Sequence, residues 1–188
     1  MKAVFLDRDG VINRAFVRDG RSYSPASLEE FTLLPGVPEA IAALRRAGYR
    51  VLVVTNQPDV GKGVLRLEVV EAMHQRLRRL VPLDDIIVCY HTDADRCACR
   101  KPQPGMLLDA ARAWRLQLSQ CVMVGDRWRD IEAGKAAGCR TILVRGDDYA
   151  EPPVKAADAI VASLPEASAL ILSQRWPAGA AQPIEVAT

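Results

Sequence analysis

Residues 3–11, AVFLDRDGV, place two carboxylates directly after a short apolar run. The run Ala3–Leu6 is typical of a buried β-strand. In open sheets of parallel strands, ligands bind at the carboxyl ends of the strands. Residues i and i+2 of an extended chain point the same way, so Asp7 and Asp9 are expected to face one pocket. The stretch therefore predicts a polar site at the end of the first strand.

Short apolar runs alternate with amphipathic segments along the rest of the chain. This alternation predicts a parallel sheet with helices on both faces, a three-layer Rossmann-like α/β fold. The further predicted strands are Arg50–Thr55, Ile86–Cys89, Cys121–Val124, Thr141–Val144 and Ala159–Val161. Helices are predicted over about residues 36–47, 65–80, 105–116, 128–137 and 165–175. Residues 10–34 read as a loop with a turn at Asp19-Gly20, forming a small flap, and no insertion is long enough for a cap domain.

The 188 residues suffice for a single domain with a full core, which we place at residues 1–175. Residues 176–188, rich in Ala, Pro and Gly, are interpreted as a tail. A formal net charge of +2 gives no support to a nucleic-acid partner. The apolar run before Asp7 is too short for a signal peptide, and no segment reaches membrane-spanning length. We therefore expect a cytoplasmic protein, monomeric by default.

Three further polar clusters occur where predicted strands end or predicted helices begin. They are Thr55-Asn56-Gln57, Arg100-Lys101-Pro102, and Gly125-Asp126 followed by Asp130. Each alone could be a polar strand end, a surface basic pair or a helix cap. Together, in this order and at one sheet edge, they indicate a shared site. Carboxylates beside a lysine suit phosphoryl transfer, in which Mg²⁺ and a fixed cation neutralise charge.

The ordered set resembles the four motifs of the haloacid-dehalogenase superfamily of phosphatases, over about residues 3–145. The resemblance implies that Asp7 attacks phosphorus, and that Asp9 protonates the leaving group and then activates water. It also implies that Thr55 and Lys101 hold the phosphoryl oxygens. The implied Mg²⁺ ligands are the Asp7 carboxylate, the Asp9 backbone carbonyl and Asp126, with Asp130 in support.

A second cluster combines three thiols and an imidazole, contributed by Cys89, His91, Cys97 and Cys99. Three cysteines and one histidine form a closed structural zinc shell. The last two cysteines lie in a polar run, where burial as small apolar residues is not expected. We predict a structural Zn²⁺ that fixes this short loop, which ends at Arg100. His74 is interpreted as a packing or helix-surface residue and not as a ligand.

The cluster, together with DRDGVIN at residues 7–13, resembles the D-glycero-D-manno-heptose-1,7-bisphosphate phosphatases, which are related to histidinol-phosphate phosphatases. The resemblance implies a small sugar-phosphate substrate that loses its 7-phosphate. The candidate substrate-binding residues are Asn56, Gln57, Lys62, Arg100 and Arg127. Residues 58–63 depart from the family, because PDVGKG replaces Ser-Gly-x-Ala-Arg-Gly. Lys62 keeps the charge of the family's arginine but not its bidentate geometry.

Two other functions stay open at this point. A histidinol-phosphate phosphatase or a nucleic-acid 3′-phosphatase could use the same uncapped site, although a nucleic acid would need a basic groove. A zinc-stabilised binding module could keep the fold without activity. The joint presence of Asp7, Asp9, Lys101 and Asp126 argues against the inactive module.

Overall fold

A central parallel sheet organises the computed structural model, which describes residues 1–18, 21–145 and 157–177. In chain order the strands are β1 (Ala3–Leu6), β2 (Phe16–Arg18), β3 (Arg21–Tyr23), β4 (Arg50–Asn56), β5 (Asp85–Cys89), β6 (Val122–Gly125), β7 (Arg140–Val144) and β8 (Ala159–Val161). The helices are α1 (Val37–Arg46), α2 (Pro58–Gly61), α3 (Leu67–Leu80), α4 (Gly105–Trp114), α5 (Trp128–Ala136) and α6 (Leu164–Ser173). Single 3₁₀ turns lie at Asp93–Asp95 and Leu118–Gln120.

The order of strands across the sheet is β5-β4-β1-β6-β7-β8, and all neighbours are parallel. From β1 the chain builds outward through β4 and β5, and then crosses to build β6, β7 and β8 on the other side. The strand order therefore reverses at β1. A reversal of this kind opens a crevice at the carboxyl ends of the central strands, where ligands bind in such folds.

The central strand β1 contributes to two apolar cores, one on each face of the sheet. Val4 and Leu6 pack into the larger core with α1, α3 and α6, whereas Ala3 and Phe5 pack with α4 and α5. All four side chains have 0% exposure. Because successive side chains of a strand point to opposite faces, a continuous apolar run is what a strand covered on both faces requires. The predicted three-layer architecture is confirmed.

The predicted strands and helices agree with the structure to within about two residues at each end. The prediction that residues 10–34 lack secondary structure is wrong, because β2 and β3 form an antiparallel hairpin with Phe16 opposite Tyr23. Strands of three residues are too short to show an alternating pattern. The predicted turn at Asp19-Gly20 lies outside the described residues. The short helix α2 was also not predicted.

The flap and the loops leave the crevice without a cap domain within the described residues. Only the hairpin and α1 separate β1 from β4, and only α2, α3, β5 and a short loop separate β4 from α4. Near the carboxyl terminus, Trp176 packs against the larger core and lies under the Arg140 guanidinium. Packing thus includes Trp176, the first residue of the predicted tail 176–188, and residues 178–188 of that tail lie outside the described residues.

Among the described helices, none combines the length and the apolar character needed to cross a membrane.

Candidate active site

The turn after β1 holds the Asp7 backbone against β6 and brings the chain close to Asp126. The Asp7 N–H donates to Val124 O at 2.9 Å, which extends the pairing of β1 with β6 by one residue. Gly10 then turns the chain at φ 87°, a region that favours glycine. A Cβ atom at Gly10 would lie 2.3 Å from Asp126 Oδ2. The glycine therefore allows the turn to approach the carboxylate that follows β6.

Asp7, Asp126 and Asp130 form a compact carboxylate cluster at the crevice. One oxygen from each lies within 4.8 Å of the others, and all three residues are buried. Three carboxylates at this spacing repel one another unless cations join them. Oxygen donors in such a group are the ligands that Mg²⁺ prefers. The predicted metal-binding carboxylates are thus brought together by the fold.

Lys101 supplies a positive charge to this cluster. Its Nζ donates to Asp7 Oδ1 at 2.9 Å, to Val54 O at 2.8 Å and to Asp130 Oδ1. Burial of Lys101, which is 2% exposed, opposes its charge, but the carboxylates of Asp130 and Asp7 outweigh burial and raise the pKa of this lysine. Lys101 therefore stays protonated beside the proposed nucleophile.

Asp130 occupies the first turn of α5 and connects Lys101 to the backbone of the preceding loop. Its second carboxylate oxygen accepts a hydrogen bond from the Arg127 N–H at 3.0 Å. Burial raises the pKa of Asp130 to about 6, with Lys101 opposing the shift and Asp7 adding to it. A Cβ atom at Gly125 would lie 2.1 Å from Asp130 Cβ, so this glycine lets the helix start come close to the end of β6.

The carboxylate of Asp9 is held by a network that the sequence did not reveal. It accepts hydrogen bonds from Arg8 at 3.0 Å, and from Asn13, Ser24 and Gln57 at 2.8 Å each. Burial would raise the pKa of Asp9, but the charge of Arg8 and these hydrogen bonds lower it below its usual value. Asp9 is therefore ionised at neutral pH in this structure, and Ser24 ties it to the hairpin flap.

The three polar residues at the end of β4 have different surroundings. Gln57 is 2% exposed, and its amide donates both to Asp9 and to the Thr55 hydroxyl, the latter at 3.0 Å. Asn56 exchanges two hydrogen bonds with the backbone of Lys101, at 3.0 and 3.1 Å. Asn56 and Gln57 thus position charged groups of the site. Their predicted contacts with substrate, and that of Thr55, stay predictions.

The crevice is a cavity of about 340 Å³. Four cationic side chains among its lining residues form what we call the cationic rim: Lys62, Arg100, Arg127 and Arg129. Asp7, Asp9, Asn56 and Lys101 line it, together with the predicted substrate-binding residues Lys62, Arg100 and Arg127. The structure therefore brings candidates from four separate chain segments to one cavity.

Each of the three rim cations that were predicted from the sequence has a protein contact that fixes its position. Lys62, 52% exposed, pairs with Asp59 at 3.1 Å, and an Arg127 amino group donates to Ser22 O in the flap at 3.0 Å. Arg100 donates to the Asp93 carboxylate at 2.8 Å. Asp93 was not predicted, because an acidic residue in a polar loop looks like a solvated side chain.

Asp93 connects the loop between β5 and α4 to the start of α5. It also accepts a hydrogen bond from Arg129 at 2.9 Å, and the hydrogen bonds from Arg100 and Arg129 lower its pKa below the usual value. Arg129 lines the same cavity as Arg100. Two arginines at the rim are thus oriented by one carboxylate.

The predicted zinc ligands converge behind this rim. The ligand atoms of Cys89, His91, Cys97 and Cys99 all lie within 4.8 Å of one another. The sulfur–sulfur distances are 3.1, 3.4 and 3.7 Å, whereas thiolates 2.3 Å from a tetrahedral zinc lie about 3.8 Å apart. The group is therefore compact enough to hold one metal ion with little adjustment.

His74 is buried at 4% exposure and lies outside both clusters that could hold a metal among the described residues. The interpretation of His74 as a packing residue agrees with this burial, but it missed a polar contact. His74 Nε2 lies 3.0 Å from an amino group of Arg8. Arg8 was not among the predicted site residues, although it has 0% exposure and donates to the Asp9 carboxylate.

Comparison with known proteins gives a consistent group of relatives. The sequence profile of the haloacid dehalogenase-like hydrolases matches residues 16–138. A Pseudomonas putida protein named D-glycero-β-D-manno-heptose-1,7-bisphosphate 7-phosphatase is 42% identical over 150 residues, covering 77% of this chain and 83% of that protein. A Neisseria meningitidis protein of the same name is 40% identical over 149 residues, covering 77% of each.

Solved structures agree with the sequence relatives. The crystal structure of D,D-heptose 1,7-bisphosphate phosphatase from B. bronchiseptica, complexed with magnesium and phosphate, has a TM-score of 0.79 and 32% identity, and the match covers 93% of this chain and 100% of that one. The enzyme of that name from Burkholderia thailandensis has a TM-score of 0.63 and 31% identity, with 92% and 99% covered. The chain therefore belongs to the haloacid dehalogenase-like hydrolase family.

Proposed function

We propose that the protein is a Mg²⁺-dependent phosphatase that removes the 7-phosphate of D-glycero-D-manno-heptose 1,7-bisphosphate through a phosphoryl group carried on Asp7. The observation that carries the proposal is that Asp7 lines the cavity with its carboxylate 2.9 Å from the Lys101 ammonium and beside two further carboxylates. The names of the relatives at about 40% identity support the choice of substrate.

Asp7 is the nucleophile in this proposal. One of its oxygens forms a bond to phosphorus, and the bond between phosphorus and the sugar oxygen breaks. Lys101 lines the cavity, and its ammonium can hold a phosphoryl oxygen if that oxygen replaces one of its present acceptors, such as Asp7 Oδ1. Phosphoryl transfer depends mainly on positioning and on neutralising the charge of the phosphoryl oxygens, which this pair of groups provides in part.

The three clustered carboxylates fit a magnesium ion. Asp7, Asp126 and Asp130 supply oxygen donors within 4.8 Å of one another, and a related crystal structure contains magnesium and phosphate. The ligands implied by the family resemblance also include the Asp9 backbone carbonyl, which follows Asp7 in the same turn. When bound, Mg²⁺ supplies positive charge that offsets the charge of the phosphoryl oxygens.

Asp9 is proposed to move the proton in both steps. Because Asp9 is ionised in the site without substrate, it first takes up a proton from solvent or from the monoanion of the bound phosphate. In the first step it gives that proton to the sugar oxygen as that oxygen leaves. In the second step it takes a proton from the water that attacks phosphorus, which frees inorganic phosphate and restores the Asp7 carboxylate. Ser24 and Gln57 bind the same Asp9 oxygen, so the leaving group must take the place of one of these contacts.

The cationic rim is proposed to bind the second phosphate of the substrate. Arg100, Arg129 and Lys62 line the cavity, and Asp93 orients the two arginines. Replacing Asp93 with asparagine is expected to raise KM for the bisphosphate about tenfold and to leave KM for a heptose monophosphate nearly unchanged. Asp95→Asn is a control for damage to the loop, because Asp95 caps the same turn through Thr92.

Phosphate release from a substrate panel tests the proposed function. The panel contains heptose 1,7-bisphosphate, a heptose monophosphate, histidinol phosphate and 3′-phosphorylated DNA, each with and without Mg²⁺. We expect the highest kcat/KM with the heptose bisphosphate, and activity only with the metal. A preference for histidinol phosphate or DNA would overturn the substrate, and no turnover of any compound would favour the binding-module alternative.

We also propose that Cys89, His91, Cys97 and Cys99 hold a structural zinc ion that fixes the rim. His91 accepts a hydrogen bond from Arg100 through its backbone oxygen at 3.3 Å, so an ordered loop orients this arginine. Metal analysis of freshly purified protein is expected to give about one zinc per chain. A value near zero in active protein would contradict the proposal.

The remaining expectations are proposals of the same kind. Thiol ligands need a reducing compartment, which supports a cytoplasmic location. A small cavity with a cationic rim suits a small-molecule sugar phosphate better than a nucleic acid. We propose a monomer, which the molar mass in solution would test.

A further inference from the structure

A continuous chain of polar side chains connects the loop of the cysteine cluster to Asp9. The Tyr90 hydroxyl donates to the Glu71 carboxylate on α3, and that carboxylate lies 3.6 Å from His74 Nδ1. His74 Nε2 lies 3.0 Å from an Arg8 amino group, and Arg8 pairs with Asp9 at 3.0 Å. None of the first four residues has a role in the phosphoryl-transfer steps described above.

The directions of the hydrogen bonds in this chain follow from the chemistry of its members. A guanidinium group has only donors, so His74 Nε2 must accept the hydrogen bond from Arg8. His74 Nδ1 then carries the ring proton and faces the Glu71 carboxylate. Burial, with the charge of Arg8 adding to it, lowers the pKa of His74 to about 4, which agrees with a neutral ring at pH 7.

Arg8 is the member on which the position of Asp9 depends. Its side chain has 0% exposure, and its guanidinium donates to both oxygens of Asp9 and to His74. A buried guanidinium needs acceptors for its N–H groups, since no bulk water is available to replace a lost one. Without the His74 acceptor, one N–H group of the guanidinium would lack a partner. A rotation that finds it another acceptor would break the contact with Asp9.

We propose that His74 is a positioning residue that acts through Arg8 to hold the Asp9 carboxylate where it can transfer a proton to the leaving group. The Asp9 side chain borders the substrate cavity, whereas His74 does not touch it. The inference rests on Asp9 being the proton donor of the proposed function, but it does not depend on which sugar phosphate is the substrate.

Two substrates with different leaving groups test this role. An alkyl phosphate releases an alkoxide, which needs a proton as it leaves. p-Nitrophenyl phosphate releases a stabilised phenolate, which needs almost none. General acid catalysis contributes about 10²- to 10⁴-fold, so a mispositioned acid should affect the alkyl substrate selectively. The comparison uses kcat/KM, which covers the steps through release of the leaving group and not the later hydrolysis of the phosphoryl-enzyme. We expect His74→Leu to lower kcat/KM for the alkyl phosphate about tenfold or more, with kcat/KM for p-nitrophenyl phosphate within about twofold of wild type.

A matched set of variants separates positioning from general damage. His74→Gln offers an amide oxygen to Arg8 and should recover most of the lost alkyl-phosphate activity. Val70→Ala, one turn earlier on α3 and fully buried, removes packing but no member of the polar chain. It should keep the wild-type ratio of the two activities. Glu71→Gln, at a half-exposed side chain, weakens the contact to His74 and should give a smaller drop with the same selectivity.

The outcomes distinguish this inference from the proposed function. Equal losses of kcat/KM on both substrates in His74→Leu, or no loss on either, would overturn the positioning role. Hydrolysis of these substrates by the wild-type protein would still support the proposed phosphatase activity. If His74→Leu does not fold, an unselective effect of Glu71→Gln overturns it instead. Wild-type protein that hydrolyses neither compound in Mg²⁺ would overturn the proposed function itself.

Discussion

Replacing Lys101 with methionine would leave two carboxylates buried beside each other without their shared cation. The Lys101 and Asp130 side chains are each 2% exposed, and that of Asp7 is 12% exposed. Methionine fills nearly the same volume, so the loss of charge dominates over the creation of a cavity. Removing one partner of a buried ion pair costs about 3–5 kcal/mol. We therefore expect the free energy of unfolding to fall by about 3–5 kcal/mol at pH 7.5.

The same variant should recover stability in mild acid. Burial already raises the pKa of Asp130 to about 6, and loss of Lys101 removes the main opposing influence and raises it further. A carboxyl group with a raised pKa in the folded state binds a proton there before it does in the unfolded state. Stability therefore increases as the pH falls through the folded pKa. A second change, Asp130→Asn, should restore much of the stability at pH 7.5 but not the activity.

Urea unfolding of the metal-free protein at pH 7.5 and 5.5 measures these differences. Lys62→Met is the matched control, because Lys62 lines the same cavity but is 52% exposed. Its pair with Asp59 should contribute no more than about 0.5 kcal/mol. A Lys101→Met variant within about 1 kcal/mol of wild type at pH 7.5 would refute the reasoning.

Three shorter predictions concern other parts of the site. The pKa of Asp9 is lowered by Arg8, so Asp9→Asn should be less stable than wild type by about 3 kcal/mol at pH 7. In pH-dependent unfolding, the difference should shrink as the pH falls below 3.8 through the folded pKa; a constant difference would contradict this. Gly10→Ala should weaken Mg²⁺ binding at least about tenfold in titration calorimetry, since the new Cβ would lie 2.3 Å from Asp126 Oδ2, and unchanged affinity would argue against this placement. Cys97→Ser should lose zinc and lower the thermal midpoint by about 2–4 °C or more, whereas an unchanged midpoint would exclude a structural metal.

Much of the fold and the chemical groups of the site could be predicted from local patterns. Ala3–Leu6 and Arg50–Asn56 are apolar runs long enough to identify buried strands. The polar residues that end such strands meet at one edge because parallel strands share a direction. Asp7, Lys101 and Asp126 were predicted to converge for this reason, and the structure places them together.

The surroundings of Asp9 could not be predicted in the same way. Arg8 and His74 are 66 positions apart, and the contact depends on how α3 packs against the first turn. Ser24 reaches Asp9 only because the flap folds back as a hairpin, whose strands are too short to leave a pattern in the sequence. The role of Asp93 likewise depends on tertiary contacts, because Arg100 and Arg129 share its carboxylate.

The phosphoryl group on Asp7 is the central claim, and trapping it is the most direct test. Asp9→Asn with p-nitrophenyl phosphate should form the phosphoryl-enzyme readily but hydrolyse it slowly, because only the second step needs the base. After an acid quench, mass spectrometry should find one phosphoryl group on the peptide that contains Asp7. An Asp7→Asn variant should show none and should not turn over. A phosphoryl group on another residue, or near-normal turnover by Asp7→Asn, would contradict the account.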